Sequence, residues 1–493
     1  MKPIGTITMC FPHVDDETRS ILQSVMEESE DFGDFTEKLC DRVCAQPSPP
    51  LLEYFAVYFS FRTGYFILVD KLECAGRVPE LASPLLLLIR SMRDESVKWD
   101  ALKESLKRGL ISSPNDWITC HLYLTWRMEA ERYFSEFDVD IKPIEAVTNS
   151  IENNKDLAFF KAGLLAIEAM KHHREWNFEQ AVDRSRQALT IAREFDDQIL
   201  VAGLLCDIAN MVKETDTEQA LDLLGSSREL GEKLGYRDMI GIVQHQLGHI
   251  MQARGELSAA IDYQLDARAI GEKIGFPPQF YNIVIAHLYN QMGKGEEALQ
   301  MAKNSFYSSN RHRASSHVQL AWAFVNLGKY DEAEAELAAA SNAAARCGDS
   351  GTMKILHLVG GILEKAKGNL DGAFNVLRDE FENLENDLKL VAGSICLLNL
   401  TEIEIKMLTD KSMKKGTDLS GPWMAKLIEH AEKNDFPGIA ARALLLKAEL
   451  RRKQGRFDDM HMLLRQVQET AKAPSMKYLN DLAVSMFPDI IVS

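Results

Sequence analysis

Small residues recur at nearly regular intervals through most of this chain, each opening an apolar-periodic run. "WNFEQA" ends at Ala181, "TDTEQA" at Ala220, "GELSAA" at Ala260, "GKGEEA" at Ala298, "GKYDEA" at Ala333 and "GNLDGA" at Ala373. "GRFDDM", ending at Met460, is a last member after a gap. The six anchors lie 39, 40, 38, 35 and 40 residues apart. A period of that length marks stacked supersecondary units, none of which buries its apolar face alone. Residues belonging to the repeat therefore have to be set aside before any motif is weighed.

Each unit reads as two antiparallel helices joined by a tight turn. Gly255, Gly293, Gly328, Gly368 and Gly455 fall just after an apolar run and five residues before the anchor. That is where a helix stops on a left-handed residue. Acidic residues then cluster around the next first turn, where they complement the helix dipole. Gly248 and Ala260, Ala286 and Ala298, Ala321 and Ala333, and Gly361 and Ala373 stand twelve apart. Side chains this small let paired helices approach closely.

The near-identical stretches "GEKLGY" (231–236) and "GEKIGF" (271–276) end second helices. Gly235 and Gly275 are placed for the left-handed stop, Lys233 and Lys273 for the negative helix end, and Tyr236 and Phe276 to fold back on Leu230 and Ile270. A phosphate loop would offer its amides at a helix beginning; carbonyls at a helix end repel anions.

The Leu-Gly or small packing pair, the turn glycine and the alanine opening the second helix resemble the tetratricopeptide repeat, best in "HQLGHIMQARGELSAA" and "VQLAWAFVNLGKYDEAEAEL". The resemblance implies an all-α, right-handed superhelical solenoid of antiparallel pairs. The spacing exceeds the family's usual length of about 34. Longer second helices resemble the extended repeats of kinesin light chains and of maltose-activator-type regulators. Six units fit between about 157 and 387. A seventh is split by a polar insertion near 408–421, an eighth covers about 438–473, and 476–493 reads as a capping helix, giving an array over 151–475.

Residues 1–150 have helical periodicity with poor repeat signatures, compatible with degenerate repeat pairs, and Pro79, Pro84, Pro114 and Pro143 stand at plausible helix starts. We read an irregular helical region, with "LLEYFAVYFSF" as core rather than a dimer surface.

Composition excludes several classes. With 46% hydrophobic and 26% charged residues the chain can build a core. A net charge of -17 opposes a phosphate backbone, so nucleic acid is not expected. No apolar stretch is long enough for a bilayer span, and the beginning lacks a signal-peptide core, which gives a cytoplasmic expectation. The eight cysteines show no CxxC or framework spacing and read as reduced thiols.

Five local sequences invite chemistry. "HQLGH" (245–249) spaces two imidazoles like a zinc-protease helix, but Gln246 stands where the general base is needed. "MGKGEEA" puts Glu296 and Glu297 where a P-loop needs lysine and hydroxyl. "HH" at 172–173 and "RHRASSH" at 311–317 lack carboxylate or thiolate partners at ligand spacing. "FDVDIKP" at 137–143 lacks the calcium-loop pattern. No Gly-x-Ser-x-Gly elbow is present. We expect no catalysis, no metal and no cofactor.

The resemblance also implies a ligand groove lined by first-helix positions two, five, nine, twelve and thirteen, counting the small packing residue as eight. These fall on His173 and Arg174, Asn210 and Lys213, His245, His249 and Gln252. They continue with Phe280, His287, Asn290 and Gln291, then Ser315, Trp322 and Asn326, then Ile355, Leu358, Ile362 and Lys365. Amides can donate to and accept from a peptide backbone, and Trp322 offers a stacking surface. The expected partner is an extended protein or peptide segment, and the expected role a scaffold or adaptor. The alternative is a ligand-sensing regulator acting on a separate effector. His245, His249 and His287 would make binding pH-sensitive if they titrate near pH 6 to 7.

Overall fold

The computed structural model describes residues 5–8, 10–92, 124, 154–175, 177–213, 215–306, 310–347, 350–383, 391–408 and 421–490. All regular structure among them is helical. After a short turn at Gly5–Thr8, the helices are α1 (Asp16–Glu28), α2 (Phe32–Ala45), α3 (Pro50–Arg62), α4 (Phe66–Cys74) and α5 (Ser83–Met92). Paired helices follow: α6 (Asn154–Arg174) with α7 (Phe178–Glu194), α8 (Gln198–Val212) with α9 (Thr217–Leu234), and α10 (Arg237–Ala253) with α11 (Leu257–Ile274). Next come α12 (Gln279–Gln291) with α13 (Gly295–Lys303), α14 (Asn310–Asn326) with α15 (Tyr330–Cys347), and α16 (Ser350–Ala366) with α17 (Leu370–Asn383). The series closes with α18 (Val391–Met407) and α19 (Pro422–Lys433), α20 (Pro437–Lys453) and α21 (Phe457–Thr470), and finally α22 (Tyr478–Met486). The chain is an all-helical solenoid of tetratricopeptide-like pairs. "FDVDIKP", Pro114 and Pro143, and most of the inserted loop lie outside the described residues.

The turn chemistry follows the sequence closely. Gly255, Gly293, Gly328, Gly368 and Gly455 all take positive φ, between 69° and 87°. At the joints between units, Gly235 is a left-handed cap (φ 64°), and the N–H of Tyr236 donates to the Gly231 carbonyl at 2.8 Å. Gly275 has φ 86°, and Phe276 N–H donates to Gly271 in the same way. Where a unit has no joint glycine, Asp196 (φ 56°) and Asp435 (φ 52°) take the left-handed place, a conformation that aspartate tolerates better than most residues. The packing residues also hold: Ala286, Ala298, Ala321 and Ala333 are fully buried. A Cβ on Gly361 would sit 2.7 Å from Leu377 Cγ.

The chain divides into two compact units. The first comprises Met1–Gln246 with Ala267–Pro277. Here α3 is apolar over most of its circumference, and Leu52 and every residue from Tyr54 to Arg62 are buried. Tyr54, Phe55, Tyr58 and Phe59 are fully buried, and Phe59 meets Phe32 and Phe35 edge-on at 5.5 and 5.4 Å. "LLEYFAVYFSF" is thus core. The amino-terminal helices rest on the joints. A Cβ on Gly33 would lie 2.6 Å from the Gly235 carbonyl oxygen, and one on Gly64 2.1 Å from Asp238 Cβ. Arg237 lies over the Tyr65 ring at 5.2 Å, and Phe66 faces Phe276 at 6.3 Å. The joints therefore serve both as helix stops and as a seat for α2 to α4.

The second unit comprises Leu247–Asp266 with Pro278–Ser493. Its first helices pack on one another in succession, α12 on α14, α14 on α16, α16 on α18 and α18 on α20. The seventh pair closes across the insertion because the Glu404 carboxylate accepts from Trp423 N–H at 3.5 Å and Met424 N–H at 3.3 Å, capping α19. Within this unit, α20 and α22 then meet the turn of the third pair. Gly438 N–H donates to the Arg254 carbonyl at 3.0 Å, and the Tyr478 hydroxyl donates to the Gly255 carbonyl at 2.9 Å. Leu257, Ala260, Ile261 and Leu288 share one buried cluster with Ala441, Leu445, Met460, Tyr478 and Phe487.

Candidate functional site

The expected groove residues fall on first helices as the repeat predicts, but they are not equally available. In the first unit, His173 on α6 is half-buried, edge-on to Phe178 at 5.4 Å. Burial, and then the Lys213 charge, hold its pKa below the usual histidine value. Arg174 ends α6, and its side chain lies outside the described residues. On α8, half-buried Asn210 accepts from Lys213 Nζ at 2.7 Å. His245 on α10 is half-buried.

In the second unit, His249 is half-buried, whereas Gln252 is only 5% exposed. Phe280, at the start of α12, is half-buried and edge-on to His312 at 6.4 Å. The centre of the face is an amide ladder between α12 and α14. Asn326 Nδ2 donates to the Asn290 main-chain oxygen at 3.1 Å and reaches its side-chain oxygen at 3.2 Å. Asn290 Nδ2 in turn donates to the Gln319 main-chain oxygen at 3.0 Å. Asn290 is 2% exposed and Gln319 4%. This network uses hydrogen-bonding capacity that the sequence reading assigned to a partner.

Two further expectations are corrected. Trp322 is 4% exposed and packs edge-on against His287 at 5.3 Å, so its ring is engaged inside the protein. His287 is held neutral. Burial pushes its pKa down to about 4, outweighing a hydrogen bond with Gln319, so this side chain does not change charge between pH 6 and 7. Trp322 belongs to the buried cluster that residues of α20 join, and His287 lies against Trp322. Leu358 and Ile362, also inner positions, are 1% and 5% exposed, in one buried cluster with Trp322, Leu446 and Leu450.

Other inner positions are polar and tied across pairs. Ser315 Oγ and Thr352 Oγ1 lie 3.2 Å apart. Lys365 Nζ donates to Asn399 Oδ1 and pairs with Glu402. Burial raises the Glu402 pKa, but Lys365, with Arg442 and Lys406 behind it, outweighs burial and keeps the carboxyl below its usual value. Beside the ladder, Gln291 differs: its Nε2 is buried and has no hydrogen-bond partner. Sequence reasoning named Gln291 but could not distinguish it from its neighbour. It missed Gln319, which is not at a groove position.

Among the described residues, no group of three or more His, Cys, Asp or Glu side chains could hold a metal ion. Cys10, Cys40, Cys44, Cys74, Cys206 and Cys396 are not in disulfides, and burial pushes the Cys40 thiol up to about 12. No helix among these residues is long and apolar enough to cross a membrane.

No protein-family model matches the chain, and no curated protein does. Among solved structures, it is similar to a Rap protein complexed with competence and sporulation factor, at 13% identity and TM-score 0.47, over 72% of this chain and 98% of that one. It is also similar to a tetratricopeptide repeat protein from Parabacteroides merdae, at 14% identity and TM-score 0.30, over 66% of this chain and 99% of the other. Yeast Tom70 is similar at 10% identity and TM-score 0.31, over 96% of this chain and 94% of its own. At these values none of the three bears on what this chain binds.

Proposed function

We propose that the chain is a non-catalytic interaction scaffold whose second unit takes an extended peptide segment of a protein partner on its inner face, read mainly through the main chain. The observation that carries this reading is Gln291, a buried amide donor without a partner beside a fully used amide ladder. Buried polar groups are nearly always satisfied, and a peptide carbonyl is the group that an orphaned amide N–H fits. Phe280 supplies half-buried aromatic surface on the same helix.

The test separates binding from folding. Peptides would be selected from a displayed random library on the purified chain, and their affinity measured against Gln291→Leu. Removing an unsatisfied amide leaves stability unchanged or raises it, while the loss of a hydrogen bond to the peptide costs about 1 to 3 kcal/mol of affinity, roughly tenfold or more. Equal affinity for both proteins would refute the role of Gln291.

A second reading, a sensor that acts on a separate effector, draws support from the meeting of α20 and α22 with the turn of the third pair, since a sensor needs an element with two arrangements. The resemblance to maltose-activator-type and kinesin-light-chain repeats belongs with these proposals. A metabolite that co-purifies on the inner face would favour the sensor.

A further inference from the structure

We propose that the junction between the turn of the third pair and the start of α20 is a latch: it holds the inner face of the second unit shut, and a bound segment reaches Trp322, Leu358 and Ile362 only when it is released. The inference rests on the inner-face reading above. It adds a closed and an open state to that face.

Three observations carry it. The junction is made by main chain meeting main chain. A Cβ on Gly438 would lie 2.1 Å from the Gly255 carbonyl oxygen, and one on Gly255 2.7 Å from Ile439 N. Gly438 lies in the first turn of α20 without a positive φ, so its own helix gives no reason for glycine. Close approach to the third-pair turn does give one. Gly438 N–H and the Tyr478 hydroxyl then satisfy the Arg254 and Gly255 carbonyls, which the end of α10 leaves over, and Arg254 faces Asp435 at 3.6 Å.

The second observation is burial. Trp322, Leu358 and Ile362 are at most 5% exposed, although they stand at positions that an open superhelix turns towards its groove. They share a buried cluster with Leu446 and Leu450 of α20, and Ala253, beside the latch, packs against that cluster. The third is topology. The intervening helices pack chiefly on their neighbours in sequence, as stacked repeats do, so curvature is a sum of small adjustable rotations. A junction between distant repeats is what stops such a coil from opening.

The test is Gly438→Ala in the full chain. Alanine suits the helix better than glycine, so helical content should stay as it is, while the latch cannot seat. The expected result is a larger radius of gyration by small-angle X-ray scattering and severalfold higher fluorescence of the dye ANS. An unchanged radius and unchanged ANS signal in a folded variant would overturn the latch. Tyr478→Phe, which removes one hydroxyl, gives the same readouts in a milder form should Gly438→Ala not fold.

Selection of displayed random peptides on both proteins then separates the two claims. If the wild-type face is open about a tenth of the time, peptides should bind Gly438→Ala about tenfold more tightly. An opened variant that selects no peptide would sustain the latch and overturn the peptide reading. Peptides that bind both forms equally would overturn the latch as a gate.

Discussion

Asn326 gives its side-chain amide to the main-chain oxygen of Asn290, 3.1 Å away on the preceding first helix, and Asn290 passes its own amide on to Gln319. Two residues that look like ligand-reading groups thereby tie α12 to α14. Asn326→Ala takes the donor from the side-chain oxygen of buried Asn290, whose main-chain oxygen keeps the Gly293 N–H, and should destabilise the protein by about 1 to 2 kcal/mol. Asn290→Ala removes the donation to Gln319 and the side-chain acceptor for Asn326, while the main-chain oxygen at 290 still receives the Asn326 amide, and should cost about 1 to 3 kcal/mol. Urea unfolding of the single and double variants checks this, and the ladder predicts non-additive losses.

The histidine next to this ladder predicts an acid sensitivity. His287 has a native pKa of about 4, below the ordinary value of 6.5. The unfolded chain therefore binds a proton that the native state refuses between those values, and stability falls as pH drops from about 6.5 to 4. The contribution is fully present above pH 6.5 and is at most about 3 kcal/mol. Unfolding midpoints of wild type and His287→Gln at pH 7.5 and pH 4.5 test the sign. The variant should lose less stability on acidification.

The repeated glycines differ in what they do, and alanine substitution separates them. Gly235 has φ 64°, and a Cβ there would meet Asp31 Oδ1 at 2.4 Å. Gly235→Ala should destabilise by more than about 1 kcal/mol through backbone strain and the displaced amino-terminal helices. Gly225 is an exposed mid-helix residue with nothing within 4 Å of an added Cβ. Gly225→Ala should stabilise by about 0.5 to 1 kcal/mol. Thermal unfolding of the pair reads both signs.

What was legible in the sequence was what neighbouring residues decide. The five turn glycines, the small packing residues and the joints at Gly235 and Gly275 all depend on contacts within a pair or between adjacent pairs, and each has a local signature. The availability of the inner face does not. Trp322 and Ile362 stand at the expected positions, yet they are buried because residues more than eighty positions later return to the same cluster. Gly33 and Gly438 carry no periodic signal, since each stands against a distant main chain, and Gly64 stands against the Asp238 side chain. Gln291 and Asn290 are adjacent amides in the sequence, and only packing leaves one satisfied and the other not.

The central claim, that the inner face of the second unit is the binding surface, is tested most directly by photo-crosslinking. A selected peptide carrying a diazirine side chain would be irradiated on the full chain and its adducts located by mass spectrometry. The account predicts adducts on the first helices Gln279–Gln291, Asn310–Asn326 and Ser350–Ala366, lost in competition with unlabelled peptide. Competed adducts confined to the second helices Gly295–Lys303, Tyr330–Cys347 and Leu370–Asn383 would contradict it.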